Sequence, residues 1–195
     1  MADGASLHLP TSVDEALLEA TRIGMLAEQT GLPPEAIRIV QGDSDRIAMG
    51  GGTGGSRSVT VQGTAIRACV ASLVAGYEPF LSTEFGSPVR FVDGAFAGSG
   101  NLRLSLIEAA DLARARGRAD LLDHAATITL DGRSFPNGAH LAEVELDPET
   151  GALRLDRYTA VDDFGTLIAP ELVLGQIHGG VVQGFGQAVC EAAVY

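Results

Sequence analysis

The chain has 195 residues, 46% of them hydrophobic, with 25 acidic residues against 13 basic ones and a formal net charge of -12. That length and apolar content suit one globular domain with a sizeable core, or two small lobes, and exclude a disordered chain. The acidic balance argues against nucleic acid as a partner, because phosphate binding needs clustered cations. Cys69 and Cys190 lie too far apart in sequence for a disulfide framework or a metal motif, so each reads as a small buried hydrophobe. No basic-then-apolar leader opens the chain and no run of about 18 apolar residues occurs, which points to a soluble, cytoplasmic protein with no membrane contact.

Met1 to Thr11 shows no periodicity. Ser12 and Glu15 form a candidate capping box, and Val13, Leu17, Ala20, Gly24 and Ala27 share one face of the helix that follows. Gly31 stops it and Pro33-Pro34 prevents its resumption. Ile37 to Val40 reads as a short strand. The loop Gln41-Gly42-Asp43-Ser44-Asp45 leads to Gly50-Gly51-Gly52-Thr53-Gly54-Gly55-Ser56-Arg57-Ser58, then to a second helix with Val59, Ile66, Cys69, Val70 and Leu73. Glycines, hydroxyls and an arginine just before a helix can cradle an anion, since backbone N–H groups, helix dipole and guanidinium point to one place. A flexible connector is the alternative. The loop has no Walker lysine, which argues against an ATPase.

Val89 to Val92, Asp93-Gly94 and Ala95 to Ala97 spell a small hairpin, and Ser105 with Glu108 caps a helix through Leu112. His124 opens a β-like run to Leu130 and reads as a surface or edge residue. Phe135 to Asp163 is a second hairpin. Ala142, Val144 and Leu146 alternate with Glu143 and Glu145, residues 147–151 supply the turn, and Leu153, Leu155 and Val161 continue the apolar face. His140 has no partner at metal spacing and reads as structural.

The hairpin delivers Asp162-Asp163 to a turn, and Pro170 then opens a helix carrying Gly175, Gln176, His178, Gly179, Gly180, Gln183, Gly184, Gly186 and Gln187. Each interior glycine costs roughly 1 kcal/mol relative to alanine, so either another backbone or a ligand approaches that helix closely. Adjacent residues of a strand face opposite ways, so Asp162 and Asp163 do not make a working acid/base pair. One of them accepts hydrogen bonds from a ligand or from loop backbone. His178 is either a proton shuttle or a hydrogen-bonding group.

The run Asp162-Asp163-Phe164-Gly165 to Pro170, then Gly175-Gln176-Ile177-His178-Gly179-Gly180 and Gln183-Gly184-Phe185-Gly186-Gln187-Ala188, resembles the signature of the molybdenum hydroxylases. It is similar to the molybdopterin-binding large subunit of the xanthine dehydrogenase, aldehyde oxidase and aerobic carbon monoxide dehydrogenase family. Gln41 to Asp45 followed by Gly52 to Ser58 resembles that family's second cofactor loop, with Phe135 to His140 between the two motifs in the family's order.

The resemblance implies an oxidoreductase whose molybdenum–molybdopterin cytosine dinucleotide carries the chemistry, with FAD and 2Fe-2S centres on partner subunits or domains. Carried over by position, Thr53, Gly54, Gly55, Ser56, Arg57 and Ser58 hold the phosphate and pterin side, and Asp163, Gly165, Ile168 and Gln176 the nucleotide end. No residue ligates the metal. The family's large subunit is several times longer, and its catalytic glutamate is expected beyond Tyr195, so the chain alone is expected not to turn over substrate. Its partners are then the FAD and 2Fe-2S subunits or the rest of its own large subunit. A catalytically silent binding module and a poorly folded remnant are the competing readings. Ala169 stands where the family usually has Asn, and Phe164 where Cys is common, which weakens the nucleotide end. The fold class is α/β (α+β mixed), helices packed on mixed β-sheets, with two lobes at 1–75 and 76–195.

Overall fold

Two units divide the chain, Met1–Arg133 and Ser134–Tyr195. The structure is a computed structural model and describes residues 16–40, 45, 55–130, 132, 134–192 and 194, without the side chains of 16–20. The capping pair Ser12 and Glu15 lies outside the described residues, as do Thr53 and Gly54. Ala75, where the first lobe is expected to end, lies inside a continuous helix.

The first unit holds α1 (Ala16–Thr30), α2 (Ser58–Phe85), β1 (Arg90–Val92), β2 (Ala95–Ala97), β3 (Arg103–Ser105) and α3 (Leu106–Ala115). α1 ends at Gly31, left-handed at φ +70, whose N–H donates to Ala27 O at 2.9 Å. Gly31 also lets the Gly94 turn approach, because a Cβ on Gly94 would lie 2.7 Å from Gly31 Cα. Ile37 to Val40 forms no strand and pairs with none among the described residues; Ile37 and Ile39, partly buried, instead pack on Leu26, Ile66 and Val70.

Helix α2 is the spine of this unit. Tyr77, Phe80 and Leu81 join Val89, Phe96, Leu106, Ala109, Ala113 and Leu121 in the main core. Length and composition alone would suit α2 to a membrane span, contrary to the sequence expectation, but its apolar side chains build this core. Pro79 interrupts its ladder at a cost of about 3 kcal/mol. Beside it, Glu78 docks the sheet: Oε1 accepts from Phe91 N at 2.9 Å and Oε2 from Arg90 Nη1 at 3.1 Å. The Asp93-Gly94 hairpin forms as expected, both residues having positive φ. So does the capping box, Ser105 Oγ accepting from Glu108 N at 3.2 Å and Glu108 Oε2 from Ser105 N at 2.7 Å. The run after His124 pairs with no strand among the described residues. His124 is half-buried rather than a surface residue: Nε2 lies 3.1 Å from Leu121 O, and its carbonyl accepts from Cys69 Sγ at 3.3 Å.

The second unit is the hairpin β4 (Asn137–Leu146) with β5 (Leu153–Asp163), followed by α4 (Pro170–Val189). Asp147 builds the turn, accepting from Glu149 N and Thr150 Oγ1. The ladder pairs Val144 with Leu155 but Glu143 with Arg157, so Asp156 is a bulge. That extra residue reverses the facing of everything after it. Val144, Leu146, Leu153 and Leu155 share a face as expected, whereas Val161 turns to the opposite one and stands 68% exposed. No described residue of this unit is buried, and Cys190, unlike the buried Cys69, is exposed.

Candidate functional site

Two segments carry the residues singled out above, one in each unit. In the first unit Gly55 (φ +62) and Ser56 (φ +52) are consecutive left-handed residues, followed by Arg57 at φ -98, ψ -8 as the N-cap of α2. Successive N–H groups in such a turn form a concave donor surface. Arg57 supplies no side-chain cap and the first turn of α2 holds no acid, so the positive end of this 28-residue helix is not offset by an acid of its own first turn. Gly55, Ser56 and Arg57 are exposed, while Ser58 is 8% exposed and buried under the helix start. The arrangement fits a phosphate-sized anion.

In the second unit the two carboxylates divide their work. Asp163 Oδ1 accepts from Gly165 N at 2.8 Å, the loop-backbone bond expected of one of the pair. Asp162 faces the other way and accepts from His140. Ile168 and Gln176 are exposed, Ile168 in the loop and Gln176 in the second turn of α4. Ala169 is the N-cap of α4 and makes no side-chain cap. Along α4, a Cβ added to Gly175, Gly179, Gly180 or Gly184 would meet nothing within 4 Å. Packing among the described residues therefore does not explain these glycines, and a flat group or a second backbone fits against them.

A groove of about 630 Å³ runs between the end of β5 and α4, with Tyr158, Asp162 and His178 among apolar walls that include Phe164, Leu174 and Val182. Large apolar clefts with a few convergent polar groups are the usual form of a small-molecule site. His178 reaches this groove.

At its rim lies a network that the sequence reading missed. His140 Nε2 is 2.9 Å from Asp162 Oδ1 and Nδ1 is 2.9 Å from Tyr158 Oη. His140 stands opposite Ala160, between the two. Counting back from the turn without a bulge would pair it with Thr159 instead, on a face lacking both partners. The spacing of Tyr158 and Asp162 about Ala160 was the available signal.

Residues 18–195 match the family described as the molybdopterin cofactor-binding domain. The chain is 33% identical over 190 residues to the nicotine 6-hydroxylase large subunit of Paenarthrobacter nicotinovorans, covering 91% of this chain and 23% of that one. It is 30% identical over 175 residues to the probable hypoxanthine oxidase of Escherichia coli, covering 88% of this chain and 18% of that one. The solved Cu,Mo-CO dehydrogenase in its carbon monoxide reduced state superposes with a TM-score of 0.82 at 24% identity, over 94% of this chain and 24% of that one. The chain thus spans about a fifth of the length of these curated relatives. By sequence match over nearly its whole length and by fold, this α/β chain belongs to the molybdopterin cofactor-binding domain family of the molybdenum hydroxylase large subunits.

Proposed function

We propose that this chain binds molybdopterin cytosine dinucleotide as part of a molybdenum hydroxylase large subunit. Thr53, Gly54, Gly55, Ser56, Arg57 and Ser58 hold the phosphate and pterin side; Asp163, Gly165, Ile168 and Gln176 hold the nucleotide end. The observation that carries the reading is the start of α2, acid-free and without a side-chain cap behind the Gly55-Ser56-Arg57 turn, where backbone donors and an exposed guanidinium favour a pyrophosphate. The open glycines of α4 support close approach by a flat ligand. When bound, molybdenum and its pterin supply the two-electron oxidation of a heterocycle, aldehyde or carbon monoxide. The chain's own residues bind and orient, and FAD and 2Fe-2S subunits, or the remainder of the large subunit, complete the enzyme.

Expression in a host that makes the cofactor, followed by acid release of nucleotide, tests this. Cytidine monophosphate should be recovered from the purified chain and fall at least tenfold in Arg57→Glu; its absence from the wild-type chain overturns the reading. A second reading, a silent module with weakened nucleotide affinity, draws on Ala169, whose methyl cannot cap α4. Retained nucleotide without dye reduction in the assembled complex favours it.

A further inference from the structure

The Asp163-Gly165 turn stands at the open end of a two-stranded hairpin, where ladders fray. The last two pairs there are Asn137 with Asp163 and Gly138 with Asp162, and a glycine in a strand brings no side chain to hold its neighbour. The tie comes from the next residue on that face, His140. An ionised carboxylate only accepts, so Nε2–H of His140 donates to Asp162 Oδ1 at 2.9 Å, while Nδ1 is hydrogen-bonded to the Tyr158 hydroxyl at 2.9 Å. The rings of His140 and Tyr158 meet edge-on, centroids 5.7 Å apart at 79°. Asp162 is thereby held with its side chain only 12% exposed.

Gly138 has a role in this that its backbone angles do not reveal. A Cβ there would collide with the Asp162 carboxylate and lie 2.9 Å from Val161 O. The glycine leaves the space into which His140 draws the carboxylate.

We infer that His140 is a positioning residue for the nucleotide end of the site: by clamping Asp162 over Gly138 it fixes the end of β5, so that Asp163 keeps its turn on Gly165. This rests on the proposed role of Asp163 and Gly165, and two readouts separate the two claims. Amide hydrogen exchange at Gly165 reports the clamp without any ligand. Titration of the intact chain with cytidine diphosphate reports the nucleotide site.

His140→Phe and Gly138→Ala should each speed Gly165 exchange about tenfold and weaken cytidine diphosphate about as much, with exchange of the first unit's core amides unchanged. His140→Gln, which retains a donor, should recover part of both. In an Asp162→Ala background His140→Phe should add nothing further. Where His140→Phe unfolds the second unit, Tyr158→Phe decides: about threefold faster Gly165 exchange supports the clamp, and wild-type exchange overturns it. Unchanged Gly165 exchange in folded His140→Phe overturns the clamp. Failure of the wild-type chain to bind cytidine diphosphate overturns the nucleotide reading instead.

Discussion

Arg22 and Gln62 show how the first unit tolerates a buried cation. Arg22 is 2% and Gln62 3% exposed, and Arg22 Nε donates to Gln62 Oε1 at 2.5 Å, tying α1 to α2. Gln62→Leu removes that acceptor while keeping volume, and should destabilise the unit by about 2 kcal/mol in urea unfolding; an unchanged midpoint would show that Gln62 contributes nothing. Cys69 and Cys190 give a second contrast. Burial, and then the Asp123 carboxylate, push the Cys69 thiol up, whereas Cys190 is exposed. Alkylation of the folded chain at neutral pH should mark Cys190 and spare Cys69. The sign of the linkage follows. The neutral thiol is favoured in the folded chain, so this contribution is whole below the ordinary value of 9.0 and is lost as pH rises through the raised folded value.

At the scale of elements, legibility in the sequence followed locality. The Asp93-Gly94 hairpin, the Ser105/Glu108 capping box and the proline start of α4 are each written in a few adjacent residues, and each forms. The two runs read as strands, Ile37 to Val40 and His124 to Leu130, have strand composition but no pairing partner among the described residues. Pairing is a non-local property. The Asp156 bulge is the sharpest case, since one uncounted residue turned Val161 away and brought His140 between Tyr158 and Asp162. At the candidate site, the glycine turn that opens α2 was legible from its residues as far as Gly55, Ser56 and Arg57 are described; the hydrogen bonds of His140 to Tyr158 and Asp162 were not.

Two predictions belong here. Ser105 N–H, then its hydroxyl, lower the Glu108 carboxyl. The cap's stability is therefore present above the ordinary 4.5 and lost as pH falls through the lowered folded value, visible as fraying of α3 amides in exchange below that range. On α4, Gly180→Ala meets no steric obstacle and should raise the stability of the second unit by up to about 1 kcal/mol. The same change should weaken cytidine diphosphate or the pterin if a ligand lies on that face. Unchanged affinity for both would assign the glycines to a protein backbone instead.

The whole molecule is two unlike units. The first has a core built on α2, with Ile66, Tyr77, Leu81, Val89 and Phe96 almost fully buried. The second is a hairpin and a helix with no buried residue among those described, and Leu141, Leu146, Leu174 and Val182 are more than half exposed. A two-stranded hairpin is marginal alone. The relatives, of which this chain spans about a fifth, place the same domain in much longer large subunits.

Calorimetric titration of the purified chain with cytidine diphosphate tests most directly the proposal that the chain binds a cytosine-bearing pyrophosphate. Saturable one-to-one binding, weakened at least tenfold by Arg57→Glu and again by Asp163→Ala, is the predicted result. No heat of binding, or an affinity indifferent to both substitutions, would contradict the account.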